Sequence, residues 1–431
     1  MSNLNVDTVT AANVTATGMV TANTAMKAPN YADAGKPASA DPGSVIYNTT
    51  QTDLELWKGS FWLSLGAGNL RTWTTDTRPA SPSTGSFGFN TQTSQAEIWN
   101  GSDWVFFGSA AGDANADLFD FTSFTFKSIV QKGEMEGPTF SQMQSEYAGQ
   151  PWLDGTHFKM GNYQGYQVWT VPADATYTIE AGGAIGGKTN NYSYDTYWGA
   201  KISGQFTLTK GTELEMIVGV GGDGYGCPHG NEAGGGGGSF VINKSTGQLM
   251  LVAGGGGGSA SSTHGWSCGR SSSWSYGKAG ETAGSHGCWS NPGNCQGNGY
   301  GGCSWGSHQG AAGGGYNSDG YDGSGHCCQS NGGGNYTNGL KGGHGHCCYT
   351  GGGNNNSGGF GGGGGGGLSG PGGAGGYTGG TVSGHWSSWS TGGGGGGSYN
   401  QGQNQQNTQG GNNSTDGGTY TGNGYIKITK G

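Results

Sequence analysis

The chain has 431 residues, 101 of them Gly, a formal net charge of −9 and only 10% charged residues. Nucleic-acid binding asks for a basic stripe, and none is present. No run approaches the eighteen or so consecutive apolar residues of a membrane-crossing helix, so no membrane span is expected. The amino-terminal Met1-Ser2-Asn3-Leu4-Asn5-Val6-Asp7 carries neither a basic nor an apolar leader region, which predicts no conventional secretion. Nine cysteines point instead to an oxidising setting. Synthesis in a reducing cytoplasm followed by release on lysis reconciles the two.

Residues 1–35 are rich in Thr, Val, Ala and Asn and too poor in apolar mass to bury a core. They read as an attachment or oligomerisation stem, or else as a frayed terminus. An internal repeat follows, with copies at 36–66 and 78–108. Lys36-Pro37-Ala38-Ser39, Gly43-Ser44-Val45-Ile46-Tyr47-Asn48-Thr49 and Leu56-Trp57-Lys58-Gly59-Ser60-Phe61-Trp62 return 42 positions later. The second copy reads Arg78-Pro79-Ala80-Ser81, Gly85-Ser86-Phe87-Gly88-Phe89-Asn90-Thr91 and Ile98-Trp99-Asn100-Gly101-Ser102-Asp103-Trp104. Each copy predicts a three-stranded meander with a tight turn at Lys58-Gly59 or Asn100-Gly101. The paired tryptophans serve either as a small core, the favoured role, or as a sugar platform. The combination Pro-Ala-Ser, Gly-x-x-x-(Phe/Tyr)-Asn-Thr and Trp-x-Gly-x-x-Trp resembles modules of phage tail-fibre and other virion structural proteins.

Residues 109–117 read as a linker. Beyond them, Phe119, Phe121, Phe124 and Phe126 alternate, and strand signals continue at 166–171, 176–181, 205–208, 214–220, 239–242, 248–252 and 425–429. The fold class expected for 118–431 is mainly β, a β-sandwich of jelly-roll type carrying glycine rods across 219–424. Of the 101 glycines, 22 lie in residues 1–200 and the other 79 beyond. Such density is compatible with a loose linker or with an ordered bundle of polyproline-II-like rods. The interruption by Trp, Tyr and Cys favours the bundle. The seven-glycine run at 361–367, taken as one rod, spans about 22 Å.

The succession 168–179, Gly182-Gly183-Ala184-Ile185-Gly186-Gly187-Lys188, Gly219-Val220-Gly221-Gly222, 234–241 and 249–257 is similar to the glycine-rich extracellular domain of the anaplastic lymphoma kinase family of receptors. That resemblance implies a TNF-like β-sandwich bearing a bundle of polyglycine helices. The membrane span, kinase domain and signal peptide of the family are not matched, so the likeness speaks to fold. A similar arrangement occurs in the adhesins that cap the long tail fibres of T-even-like phages, where loops at the rod ends recognise the host.

Loops between rods mix Trp and Tyr with Ser, Gly and Asn, the composition of adaptable binding surfaces. Candidate receptor-binding residues are Trp266, Trp274, Trp289, Trp305, Tyr316, Tyr321, His385, Trp386 and Trp389. The alternative role for these aromatics is to cap the rod ends. Cys268, Cys288, Cys295, Cys303, Cys327, Cys328, Cys347 and Cys348 are disulfide candidates, favoured over zinc ligands because vicinal cysteines depart from C-x-x-C spacing. Cys227 is left as the odd thiol. Asp319-Gly320-Tyr321-Asp322-Gly323 offers oxygen ligands for calcium or, more plainly, a turn. No catalytic constellation, resident metal or cofactor is expected. The expected function is a virion tail-fibre adhesin, extracellular after host lysis. Its expected partners are other tail proteins, a host-surface receptor and copies of itself, with a trimer as the expected state. A self-assembling filament or matrix protein is the alternative.

Overall fold

The computed structural model describes residues 30–40, 44–50, 53–60, 62–64, 71–84, 86–93, 95–106, 117–189, 196–224, 232–260, 272–284, 297–305, 310–323, 329–345, 356–367, 370–383, 392–410 and 422–431. It is mainly β, and contacts divide it into Met1–Ala116 and Asp117–Gly431.

The first unit holds two four-stranded sheets of the same design. In one, β1 (Asn30–Tyr31), β2 (Val45–Asn48), β3 (Asp53–Trp57) and β4 (Trp62–Ser64) lie in chain order. In the other, β5 (Arg71–Trp73), β6 (Phe87–Asn90), β7 (Gln95–Trp99) and β8 (Trp104–Phe106) do the same. The meander expected from sequence is present, with Gly59 and Gly101 at φ of 93° and 110° in the last turn of each. A short strand precedes it and pairs in parallel, through Tyr31 opposite Asn48 and Trp73 opposite Asn90. Strands this short give no alternation to read, which is why sequence yields three strands rather than four.

The Trp pairs pack as expected, with ring centroids 5.2 Å apart for Trp57–Trp62 and 5.8 Å for Trp99–Trp104. Each sheet also buries a carboxylate. Glu55 accepts from Lys36 Nζ at 2.9 and 3.0 Å and from Asn48 Nδ2 at 2.8 Å. Its counterpart Glu97 is fully buried and takes a two-pronged bond from Arg78, with Asn90 Nδ2 at 3.0 Å and Trp73 Nε1 at 2.8 Å. Burial pushes the Glu97 carboxyl upward, but the bonds from Arg78, Trp73 and Asn90 outweigh it and hold it below the usual carboxylate range.

The second unit contains β9 (Ser123–Lys127), α1 (Phe140–Glu146), β10 (Phe158–Met160), β11 (Tyr166–Thr170), β12 (Ala175–Gly182), β13 (Lys201–Leu208), β14 (Glu213–Ile217), β15 (Ser239–Asn243), β16 (Gln248–Ala253), β17 (Ser304–Trp305), β18 (Val382–Ser383), β19 (Tyr399–Asn400), β20 (Gln403–Thr408) and β21 (Tyr425–Lys430). An antiparallel six-stranded sheet runs β10-β11-β14-β15-β16-β19, and an antiparallel five-stranded sheet runs β20-β13-β12-β21-β9. Trp169, Leu214, Met216, Val241 and Leu251 from the first meet Phe126, Tyr177, Ile179, Ile202, Ile426 and Ile428 from the second in one buried cluster. Trp152 and Phe158 complete it. Phe119 and Phe121 pack on Trp169 from outside any strand, so the alternation of the four phenylalanines belongs to the strand only at Phe124 and Phe126.

The glycine tracts leave the strand ends and are held by main-chain bonds to one another. Tract 233–238 is bonded to six others. Gly235, Gly236 and Gly237 donate to Gly364, Gly256 and Val220, each at 2.9 Å. Their carbonyls accept from Gly359, Gly375 and Ala184 at 2.9–3.0 Å. The partners recur every third residue: Gly372 and Gly375 donate to Ala233 and Gly236, and Gly393 and Gly396 to Gly258 and Gly255. A Cβ would overlap a neighbouring carbonyl oxygen at most of these positions, that of Phe360 at Gly237 and that of Ala311 at Gly364. Close approach is what requires glycine here.

The seven-glycine run is not one straight piece. Gly361 and Gly362 take φ of 101° and 86° and both donate to Leu340 O, while their carbonyls accept from Gly238 and Gly314, so they form a turn ahead of 363–367. Three further strands missing from the sequence reading, β10, β19 and β20, lie at sheet edges.

Candidate binding surface

Of the aromatic candidates, Trp274, Trp305, Tyr316 and Tyr321 lie among the described residues; Trp266, Trp289, His385, Trp386 and Trp389 lie outside them. Tyr316 is half-buried in a tyrosine stack. Its ring lies 5.1 Å from Tyr336 at an interplanar angle of 23°, and Tyr336 lies 5.7 Å from Tyr166 at the same angle. Tyr163 meets Tyr166 at 5.3 Å, and Tyr377 meets Tyr399 at 4.7 Å. The rings of Tyr166, Tyr316, Tyr336, Tyr377 and Tyr399 join Phe240, Ile242, Leu249 and Val252 in a second apolar cluster on the other face of the six-stranded sheet. Loops of the glycine region are thereby seated on that sheet.

Buried Glu215 anchors the stack, accepting from Tyr336 Oη at 2.5 Å and from Lys244 Nζ at 2.7 Å. Burial, and then the neighbouring Glu215 charge, push the Tyr316 hydroxyl above its ordinary value; burial does the same to Tyr336. Both stay neutral donors at physiological pH. Tyr316 therefore has one ring face taken up by Tyr336.

Tyr321 and Tyr300 are different. They are 63% and 54% exposed, the most exposed large apolar side chains among the described residues of the glycine region. Their tracts run side by side: Asn317 N–H donates to Gly299 O at 2.7 Å and Tyr321 N–H to Gly302 O at 3.1 Å. Both tyrosines thus stand on two directly paired tracts. Tyr300 escapes sequence reading because no Trp or Ser-rich loop marks it; the shared signal is a lone Tyr beside a Gly within an extended tract, as in Gly299-Tyr300-Gly301 and Gly320-Tyr321. Trp274 ends a short 3-10 turn, Ser272–Trp274, is 38% exposed, and its carbonyl accepts from Gly395 N–H at 2.9 Å. Trp305 lies in β17, paired in parallel with β18.

Around Tyr321 the acidic residues are engaged. Asp319 accepts from Asn335 N–H at 2.7 Å and Asn338 Nδ2 at 2.6 Å, and Asp322 from Gly332 N–H at 2.8 Å. Residues 319–323 run as one of the extended tracts rather than as a turn, with Gly320 N–H bonded to Gly333 O. No group of three or more His, Cys, Asp or Glu among the described residues is placed to hold a metal ion.

Cys303 is buried and disulfide-bonded. It is the one cysteine among the described residues; Cys227, Cys268, Cys288, Cys295, Cys327, Cys328, Cys347 and Cys348 lie outside them. His157 Nδ1 lies 2.6 Å from Asp154 Oδ2, but Asp154 also caps the Thr156 and His157 amides, which makes the pair a closed turn. A groove of about 570 Å³ is lined by residues that include Val130, Gln131, Met135, Thr139, Gln142 and Gln164. No described helix is long and apolar enough to cross a membrane. No protein-family model matches the chain.

Proposed function

We propose that this chain is a virion structural protein, a bacteriophage tail-fibre or receptor-binding adhesin that displays aromatic side chains on a stiff glycine scaffold. In this reading the two sheets of the second unit form a jelly-roll or TNF-like sandwich, and the glycine tracts are polyglycine-II rods packed side by side. The observation that carries it is the bonding of tract 233–238, whose three successive amides and three successive carbonyls reach six different tracts. Three residues per turn is the period of the polyproline-II family, and absence of Cβ lets such rods exchange main-chain bonds on all sides. Rods tied on every side hold their ends still, so the connecting loops vary in sequence without disturbing the array. Tyr321 and Tyr300, standing on paired tracts, are suited to stack on a sugar ring or to lie flat on a protein surface.

The test is antibody labelling of particles released from lysed cells that express the chain, viewed by negative stain. Label at a tail tip is the expected result; label confined to filaments or to free protein overturns the proposal. Binding is tested separately with Tyr321→Ala/Tyr300→Ala and Trp386→Ala/Trp389→Ala proteins in host-adsorption competition. The expected result is at least a roughly tenfold loss for one pair, consistent with about 1.5–2 kcal/mol for an aromatic anchor.

A further inference from the structure

Four strand edges bound the two large sheets, and three of them are closed to further pairing. Strand β10 has three residues and carries Lys159, while β19 has two. At β9, the Tyr147 hydroxyl accepts from Lys127 N–H at 3.0 Å and donates to Lys127 O at 3.2 Å, and Glu146 stands 3.9 Å from Lys127 Nζ. Short length, a lysine and a capping side chain are the usual means of blocking edge-to-edge association.

The fourth edge, β20, has none of them. It is six residues long, Gln403-Asn404-Gln405-Gln406-Asn407-Thr408, without charge or proline, and all six residues are exposed. One flank pairs with β13, Thr408 opposite Lys201 and Gln406 opposite Ser203. The other flank meets no strand of the described residues. The irregularity of the strand lies in its first half, where Asn404, at a φ of 49°, and Gln405 stand opposite the Ser203/Gln205 register shift, so 406–408 is regular. Lys201, opposite Thr408 on β13, is paired with Glu180 at 3.1 Å.

We infer that β20 is a self-pairing edge, along which two copies of this chain join antiparallel so that their five-stranded sheets become one ten-stranded sheet. The sequence of the strand selects a second copy as the occupant. Each Asn and Gln carries both a donor and an acceptor, so a strand of them is complementary to itself when stacked on its own kind. A chain of net charge −9 otherwise repels its copies, and β20 is a neutral place where that repulsion does not act at contact. The two-fold pairing differs from the trimer expected from sequence and does not depend on the adhesin reading.

The full-length chain and a Gln405→Lys/Gln406→Lys variant are compared by sedimentation at matched concentrations. Paired copies would place lysines of opposite strands against each other, one on each face, which weakens association by at least about tenfold. The expected result is that the wild-type particle has twice the mass of the variant, with the two giving the same circular-dichroism spectrum because both positions are exposed in a single copy. Hydrogen exchange gives a second reading: amides within 405–408 that are protected in the wild type exchange freely in the variant. Equal masses overturn the inference, whether both proteins are monomers, both are trimers, or a different protein is what occupies this edge. A wild type with twice the variant's mass but no change in exchange at 405–408 also overturns it.

Discussion

The strand frame and the glycine array of the second unit each have a buried interior, made by opposite means. The frame buries side chains: Trp152, Trp169, Phe126 and Phe158 have essentially no exposure. The array buries backbone, and its interior contains almost nothing but amides bonded from tract to tract. The difference lies in tolerance. A side-chain core accepts exchange of shape at constant volume, whereas a backbone core has no volume to exchange, since one added methyl meets a carbonyl oxygen. The repeats of the first unit use a third means, a buried ion pair beneath a Trp pair.

Removing matter from the frame gives the largest effect. Trp169→Ala is expected to cost about 3–5 kcal/mol, read from denaturant unfolding of the whole chain. Next is Glu97→Gln, which leaves Arg78 without its carboxylate and costs about 3 kcal/mol in the first unit. The same pair fixes a pH dependence. A carboxyl held below its ordinary value of 4.5 stabilises the folded state above that value, and the contribution is lost as pH falls through the depressed one. Acid titration followed by Trp fluorescence is expected to show this loss in the wild type and a flattened profile in the Gln variant.

Adding matter to the array comes third. Gly364→Ala, a single methyl aimed at Ala311 O, is expected to destabilise by about 1–3 kcal/mol, and Gly364→Val by more. The smallest effect has the opposite sign. Gly280 has an ordinary φ, and nothing lies within 4 Å of the point where a methyl group would stand, so Gly280→Ala is expected to stabilise by about 0.4–1 kcal/mol. Equal melting of the Gly364 and Gly280 variants would break the comparison between the two kinds of core.

Much of the frame was legible from residues. Strands β11, β12, β14, β15, β16 and β21 carry the period-two pattern or β-branched runs that sequence reading depends on, and their observed bounds lie close to the expected ones. The turn glycines at 59 and 101 were equally plain. Helix α1 was missed although its capping box is written out: Thr139 accepts from Gln142 N–H, and Gln142 reaches back to the Thr139 amide. Strand β20 was missed because a run of Gln and Asn has no apolar alternation. The tyrosine stack was illegible for another reason, since Tyr166, Tyr316 and Tyr336 come from segments far apart in the chain and meet only once the sheet exists. The split of the glycine run at Gly361 and Gly362 left no trace in composition, because a turn and a tract use the same residue. At the candidate surface, Tyr321 is legible from the mixture of Tyr with Ser, Gly and Asn around it, while Tyr300 becomes visible only through the pairing of its tract.

The three-residue recurrence of partners sets a rule for how such a chain can change over generations. On the proposed rod reading, inserting or deleting three residues within a tract slides it by about 9 Å and returns each amide to the same compass bearing. A change of one or two turns every donor by a third of a revolution, toward a neighbour already supplied. Natural variants of this protein would then differ in tract length by multiples of three, and freely in the segments that join the tracts.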